Sequence, residues 1–345
     1  MELETFDDVK KSMQKNSSRP FHLLLGNGFS MAYDKEIFSY NALYTFIETL
    51  DDDLIKKVFD AVKTKNFELV MQQLDTLGAL VDALGEYEEL KQKVSDAALQ
   101  LKHSLLDAVN KLHPEHVFTI PDHKLQPCAQ FLKVFLEHRG NIFTTNYDLL
   151  LYWVLMRCQS ILKASDGFGR DRESPDEYVS ESDLEYSELR WGKYKDEQVI
   201  FYLHGALPIF DDGIEVVKEQ YTTENYLLGN INNRINKGSY PIFVTAGNGN
   251  EKLNHIMHNK YLSYCYEKLS RISGSLVTFG FNFGEYDHHI ISAINEAASQ
   301  SLDKKLWSIY IGVYSKENYE YIETLKSKFK CKLHIFDAKT AKVWG

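Results

Sequence analysis

Short, continuous apolar runs dominate the hydrophobic pattern of this chain, rather than strict alternation of apolar and polar positions. Seven such runs, rich in β-branched and aromatic residues, end in glycine or a polar turn: His22–Leu25, Asn141–Thr144, Val199–Leu203, Pro241–Thr245, Ser275–Phe279, Leu306–Val313 and Lys332–Phe336. Runs of this length with no polar face read as strands buried on both sides, as in parallel sheets. Segments with helical spacing fall between several of them: Glu251–Ser270, Tyr286–Ser299 and Lys316–Phe329. The alternation predicts an α/β fold built on a doubly wound, mostly parallel, Rossmann-like sheet.

Two stretches interrupt that alternation. Asp51–Leu112 has helical periodicity, many charges and almost no strand signal, and predicts a helical insertion over about residues 45–125. Ala164–Glu197 is acidic and contains Gly and Pro, which predicts a long surface loop or lid. The expectation is one α/β domain over residues 1–345 that carries both segments.

Composition narrows the function classes. A hydrophobic share of 44%, with 13% aromatic residues and only 7 Pro, supplies a buried core and argues against long disordered linkers. The net charge of −10 offers no concentrated basic face, so direct nucleic-acid binding is not expected and a small-molecule substrate is. Cys128, Cys158, Cys265 and Cys331 lie far apart, without the spacing that closes a zinc tetrahedron, so no metal and no zinc is expected. The segment MELETFDDVKKSMQK lacks the apolar stretch of a secretory signal, and no run is apolar enough to span a bilayer. Both point to a cytoplasmic protein without membrane association.

Four strand ends carry candidate chemistry. Leu25 runs into Gly26-Asn27-Gly28-Phe29-Ser30, where glycines would let backbone approach a pyrophosphate, or would simply form a tight strand-to-helix turn. Thr144-Thr145-Asn146-Tyr147-Asp148 puts an amide and a carboxylate where a parallel sheet lines its ligand crevice; the alternative role is to cap the following helix. Leu203 delivers His204-Gly205, a structural histidine or a base with one imidazole face left open by the glycine. Gly280-Phe281-Asn282-Phe283-Gly284 leads to Asp287; Asn282 would reach a ribose or adenine, and Asp287 is expected chiefly to cap the next helix. The convergence of all four on one crevice is what points to a site.

In this order the motifs resemble sirtuin-like domains of the kind found in bacterial anti-phage defence, over roughly residues 20–300. The resemblance implies that Gly26, Asn27, Gly28, Phe29, Ser30, Thr145, Gly280, Asn282 and Asp287 bind the nucleotide. It also implies that Asn146, Asp148 and His204 are catalytic. Asn27 stands where sirtuins keep alanine and Thr145 where they keep glutamine; MAYDKEIFSY replaces the nicotinamide loop of deacylating sirtuins, and their four-cysteine zinc module is absent. Protein deacylation is therefore not expected. The activity implied is NAD⁺ hydrolysis to nicotinamide and ADP-ribose, depleting NAD⁺ in an infected cell, with NAD⁺ as substrate and no further cofactor. The resemblance also implies a homo-oligomer and a partner such as a HerA-type ATPase. The competing reading is a sensor that binds NAD⁺ or ADP-ribose without cleaving it, or a subunit of a defence complex acting on nucleic acid with such an ATPase.

Overall fold

Six of the seven apolar runs lie side by side in one parallel sheet. The computed structural model describes residues 3–15, 18–39, 53–63, 67–85, 87–114, 116–170, 188–222, 225–244 and 249–345. Numbered along the chain, its strands are β1 (Phe21–Leu25), β2 (Ile142–Thr144), β3 (Phe168–Gly169), β4 (Leu189–Trp191), β5 (Ile200–Tyr202), β6 (Gly205–Asp211), β7 (Val216–Lys218), β8 (Pro241–Phe243), β9 (Gly274–Phe279), β10 (Leu306–Val313) and β11 (Lys332–Asp337). The first sheet has the order β11-β10-β9-β1-β2-β5, and every neighbouring pair is parallel. The chain lays β1, β2 and β5 outward in one direction, then returns to the other side of β1 for β9, β10 and β11. That reversal, between β1 and β9, is the switch point at which doubly wound sheets open a crevice.

Successive residues of β1, β2, β5 and β9 point to opposite faces, yet all are buried, so both faces are covered. Asp122–Glu137 packs on β1 and β2, Lys260–Ser270 on β5, and His288–Ala298 and Lys316–Leu325 on β10. The predicted helix Glu251–Ser270 is two helices, Gly249–His258 and Lys260–Ser270. Asn259 separates them in extended geometry and caps the second, its Oδ1 accepting the N–H groups of Tyr261 and Leu262 at 3.0 Å each.

Pro241–Thr245 does not join the parallel sheet. Its described part, β8, is an edge strand of a second, antiparallel sheet ordered β3-β4-β7-β6-β8. An edge suits a strand that opens on proline, which has no N–H for a ladder. The described ends of Ala164–Glu197 also enter this sheet as β3 and β4, so they are strands rather than loop; residues 171–187 of the predicted lid lie outside the described residues.

Within the predicted insertion, Asp53–Val62, Phe67–Leu84 and Glu88–Leu112 are helices whose buried residues, including Ile55, Phe59, Val70, Leu74 and Leu101, form a core of their own. The helix from Asp122 already belongs to the main sheet layer, inside the predicted boundary of 125. No helix among the described residues is long and apolar enough to cross a membrane.

Two buried histidines pin the strand ends. His22 Nδ1 accepts the Asn141 N–H at 2.9 Å, so Nε2 carries the proton and donates to the Ser273 carbonyl at 3.0 Å. His113 Nε2 accepts the Leu149 N–H at 3.0 Å and Nδ1 donates to the Pro114 carbonyl at 3.0 Å, which ties the end of the inserted helices to the loop after β2. Burial pushes both pKa values down to about 4 from an ordinary 6.5. Through these two residues the unfolded chain binds two more protons than the folded one between those values, so their contribution to stability is full above about pH 6.5 and falls below it. Each histidine should contribute a slope of about 1.4 kcal/mol per pH unit. Urea unfolding from pH 8 to 4.5 should show a plateau and then this decline, shallower by about one proton in His22→Gln; an unchanged slope in that variant would contradict the assignment.

Candidate functional site

At the switch point the backbone of the first glycine turn touches the backbone after β9. Gly28 N–H donates to the Gly280 carbonyl at 2.9 Å, and Gly26 N–H to the Phe279 carbonyl at 3.1 Å. A Cβ on Gly28 would lie 2.5 Å from Gly280 Cα, and one on Gly26 2.6 Å from Gly280 O, so only glycine fits either position. Asn27 and Phe29 turn away from this contact. Asn27 Nδ2 donates to the Phe38 carbonyl at 3.2 Å, and the Phe29 ring is buried against Trp344 with 5.0 Å between centroids. Phe29, expected above among the nucleotide-binding residues, has its ring in the core.

Ser30, one helical turn on, reaches the end of β2. Its Oγ donates to Asp148 Oδ2 at 2.5 Å and accepts from Asn146 Nδ2 at 2.9 Å. Asp148 Oδ1 in turn accepts the Leu150 N–H at 2.9 Å, so this carboxyl both holds the network and satisfies the start of the helix Leu150–Arg157. The amide of Asn146 is thereby oriented: Nδ2 faces Ser30, and Oδ1 meets no donor among the described residues. Burial holds the Asp148 carboxyl above its ordinary pKa, with the bonds from Ser30 and Leu150 acting in the opposite direction. Thr145 packs back on β1, its Oγ1 3.4 Å from the Leu25 carbonyl.

His204 lies at the corner where the chain leaves the parallel sheet through β5 and enters the antiparallel sheet as β6. Gly205 takes φ +81° there, and a Cβ would lie 1.9 Å from the Ile242 carbonyl. The glycine permits close passage of β8; it does not open a face of the imidazole, and His204 is only 3% exposed. Tyr147 lies nearly parallel to the His204 ring, 6.5 Å away, and its hydroxyl donates to the Val244 carbonyl at 2.8 Å. Burial drives the His204 pKa well below its ordinary value, and His289 and Lys252 push it in the same direction.

The fourth strand end departs from expectation. Asn282 is exposed, and Asp287 makes no capping bond to the helix His288–Ala298. Asp287 Oδ1 instead faces the ammonium of Lys252, which is fully buried, at 3.4 Å. Burial raises the Asp287 pKa while Lys252 lowers it. His289 Nε2 lies 2.8 Å from His204 Nε2, and burial, with Lys252 and His288 adding to it, pushes the His289 pKa down to about 3. Neither Lys252 nor His289 was expected; both come from helices. Each lies on the buried stripe of its helix, Lys252 with Gly249 and Ile256, His289 with Ala293 and Ala297. A polar residue in an apolar stripe is the sequence signal that would have found them.

His204, Asp287 and His289 together place three donor atoms within 4.8 Å of one another, the donor set of a borderline divalent cation. The Lys252 ammonium beside Asp287 already supplies a compensating positive charge there. A separate cavity of about 580 Å³ opens beside the second sheet, lined by residues that include Tyr152, Asp166, Phe168, Arg170, Lys218 and Tyr221. Its lining contains none of the four strand-end motifs. Its buried charges satisfy each other, Lys218 Nζ lying 2.5 Å from Asp166 Oδ2.

The model of one protein family, a domain of unknown function designated DUF4917, matches residues 23–344. The chain belongs to this family. The match takes in all four strand-end motifs as well as the inserted helices and the second sheet, so these are parts of one family architecture. No curated protein matches the chain.

The contact between Gly28 and Gly280 yields a direct test. Gly280 takes φ +69°, and a Cβ there would lie 2.5 Å from the backbone of Gly28 and Phe29. Gly280→Ala should therefore cost about 2 kcal/mol or more, from positive φ and the forced separation of two backbones. Guanidinium unfolding measures this; a variant as stable as the parent would show that the turns are not in contact.

Proposed function

We propose that the chain is an NAD⁺ hydrolase whose site lies at the carboxyl ends of β1, β2, β5 and β9. The observation that carries the reading is the hydrogen-bonded chain from Asn146 through Ser30 to Asp148, beside the glycine contact at the switch point. This chain aims one amide oxygen where doubly wound sheets bind nucleotides. The resemblance of the four motifs to sirtuin-like domains supports the same reading.

In this account the Gly26–Gly28 backbone passes close to the pyrophosphate, since no Cβ intervenes. The C1′–N bond to nicotinamide breaks with its electron pair leaving on neutral nicotinamide, and water adds to C1′ and releases a proton. Asn146 Oδ1, fixed by Ser30 and Asp148, orients the ribose or the incoming water and faces the developing positive charge. A preorganised dipole of this kind needs no reorganisation during reaction. His204, neutral because it is buried, accepts a hydrogen bond or proton from a ribose hydroxyl. Ser30, Asn146, Asp148 and His204 are all less than a tenth exposed, so NAD⁺ reaches them only by displacing covering residues. An NAD-depleting role in anti-phage defence, with a homo-oligomer and a HerA-type ATPase as partner, belongs to the same proposal.

Incubation of purified protein with NAD⁺, with nicotinamide and ADP-ribose followed by chromatography, tests the activity. Asn146→Ala should lose about 10²-fold or more in turnover, the scale of removing one oriented polar group from an active site. His204→Ala should lose about 10²-fold in turnover while NAD⁺ affinity, measured by calorimetry, changes less than about tenfold. An inert wild type that binds NAD⁺ would give the sensor reading instead, and full activity in Asn146→Ala would refute the assignment of that residue.

A further inference from the structure

We propose that Trp344 is a positioning residue: it sets the rotation of the helix that follows the glycine turn, and so aims Ser30 at Asn146 and Asp148. The inference rests on the NAD⁺ hydrolase reading for its effect on turnover, and on geometry alone for the aim of Ser30.

The helix Asn27–Tyr33 has only seven residues, too few to hold its shape without tertiary contacts. Phe29, Ser30 and Tyr33 are its buried side chains. Phe29 and Tyr33 lie one turn apart on one face, and Ser30 lies about 100° round the axis from Phe29. Whatever holds the Phe29–Tyr33 face therefore decides where Ser30 points. Trp344 holds that face. Its Nε1 donates to the Phe29 carbonyl at 2.8 Å, a bond to the helix backbone itself. Its ring centroid lies 5.0 Å from that of Phe29 and 5.0 Å from that of Tyr33, edge-on to the second.

Trp344 is itself a fixed point. The single helical turn Ala338–Ala341 before it packs on the helix Phe6–Lys15, with the Phe6 N–H donating to Thr340 Oγ1 at 2.7 Å. Lys342 then takes φ +44°, a left-handed conformation that a residue with a side chain keeps only where its surroundings require it. The Gly345 N–H donates to the Lys342 carbonyl at 3.2 Å and closes the turn around Val343 and Trp344, both buried. The far end of the Ser30 helix is held as well, since Lys124 Nζ donates to the Tyr33 carbonyl at 2.6 Å and lies over the Tyr33 ring. The glycine contact thus fixes where the helix begins, Lys124 where it ends, and Trp344 how it is turned. Packing and hydrogen bonds behind a site are what keep its polar groups in one geometry.

A double-mutant cycle on NAD⁺ cleavage by the full chain separates aiming from packing. Trp344→Phe keeps an aromatic ring and removes the N–H. It should lower kcat about tenfold with KM little changed, the scale of a slightly misplaced polar group. Ser30→Ala removes the group being aimed, and Trp344→Phe added to it should lower kcat no further. A residue that served packing alone would leave the folded variant at the wild-type kcat, or lower kcat by the same factor in both backgrounds; either result overturns the proposal. Should Trp344→Phe fail to fold, Trp344→benzothienylalanine, which keeps the bicyclic shape without the N–H, enters the same cycle. If the wild type does not cleave NAD⁺, the hydrolase reading fails, and a crystal structure of the Trp344 variant still decides the aim. Ser30 Oγ out of hydrogen-bond reach of Asn146 or Asp148 is the expected result, and an unchanged network overturns the proposal.

Discussion

The backbone at Gly28 rests on the backbone at Gly280, and the rest of the candidate site depends on that contact. It closes the turn after β1 onto the turn after β9, at the point where the sheet reverses its winding. Any side chain at Gly26, Gly28 or Gly280 would separate the two turns. The first helical turn is thereby directed so that Ser30 meets Asn146 and Asp148 from the neighbouring strand end. A loop held this way brings polar side chains into a dry interior with their partners already in place, which is the condition under which buried polar groups are tolerated.

The same economy governs the charges. Lys252, on the helix Gly249–His258, meets Asp287 just before the helix His288–Ala298 packed against it, and Lys218 and Asp166 pair beside the second sheet. The four buried histidines His22, His113, His204 and His289 are all held toward the neutral form. His22 and His113 have both ring nitrogens satisfied and serve as struts. His204 and His289 differ, since they bond to each other and leave their Nδ1 atoms without partners among the described residues.

The parallel sheet was legible in the sequence because a strand buried on both faces reads as a nearly unbroken apolar run, as β1, β2, β5, β9 and β10 do; β11, at the sheet edge, is mostly half-buried and was read from its apolar residues alone. The second sheet was not, because most of its strands are brief and some are half-exposed: β3 spans two residues and β4 is intermediate along its length. At the site, Gly26, Gly28, Ser30, Asn146, Asp148 and His204 could be read from strand ends, since a parallel sheet brings those ends to one edge. Asn282 and Asp287 were placed by the same rule and behave differently, one exposed and the other turned toward Lys252. Lys252 and His289 escaped because helix packing brings them in, and that packing is set by the whole fold rather than by local spacing.

A crystal structure of the His204→Ala variant with NAD⁺ tests the central claim most directly, because the variant should bind the nucleotide without consuming it. The account predicts the pyrophosphate against the Gly26–Gly28 backbone, with the nicotinamide ribose facing Asn146 Oδ1. NAD⁺ seated instead in the cavity lined by Tyr152, Asp166 and Lys218, or absent at saturating concentration, would contradict it.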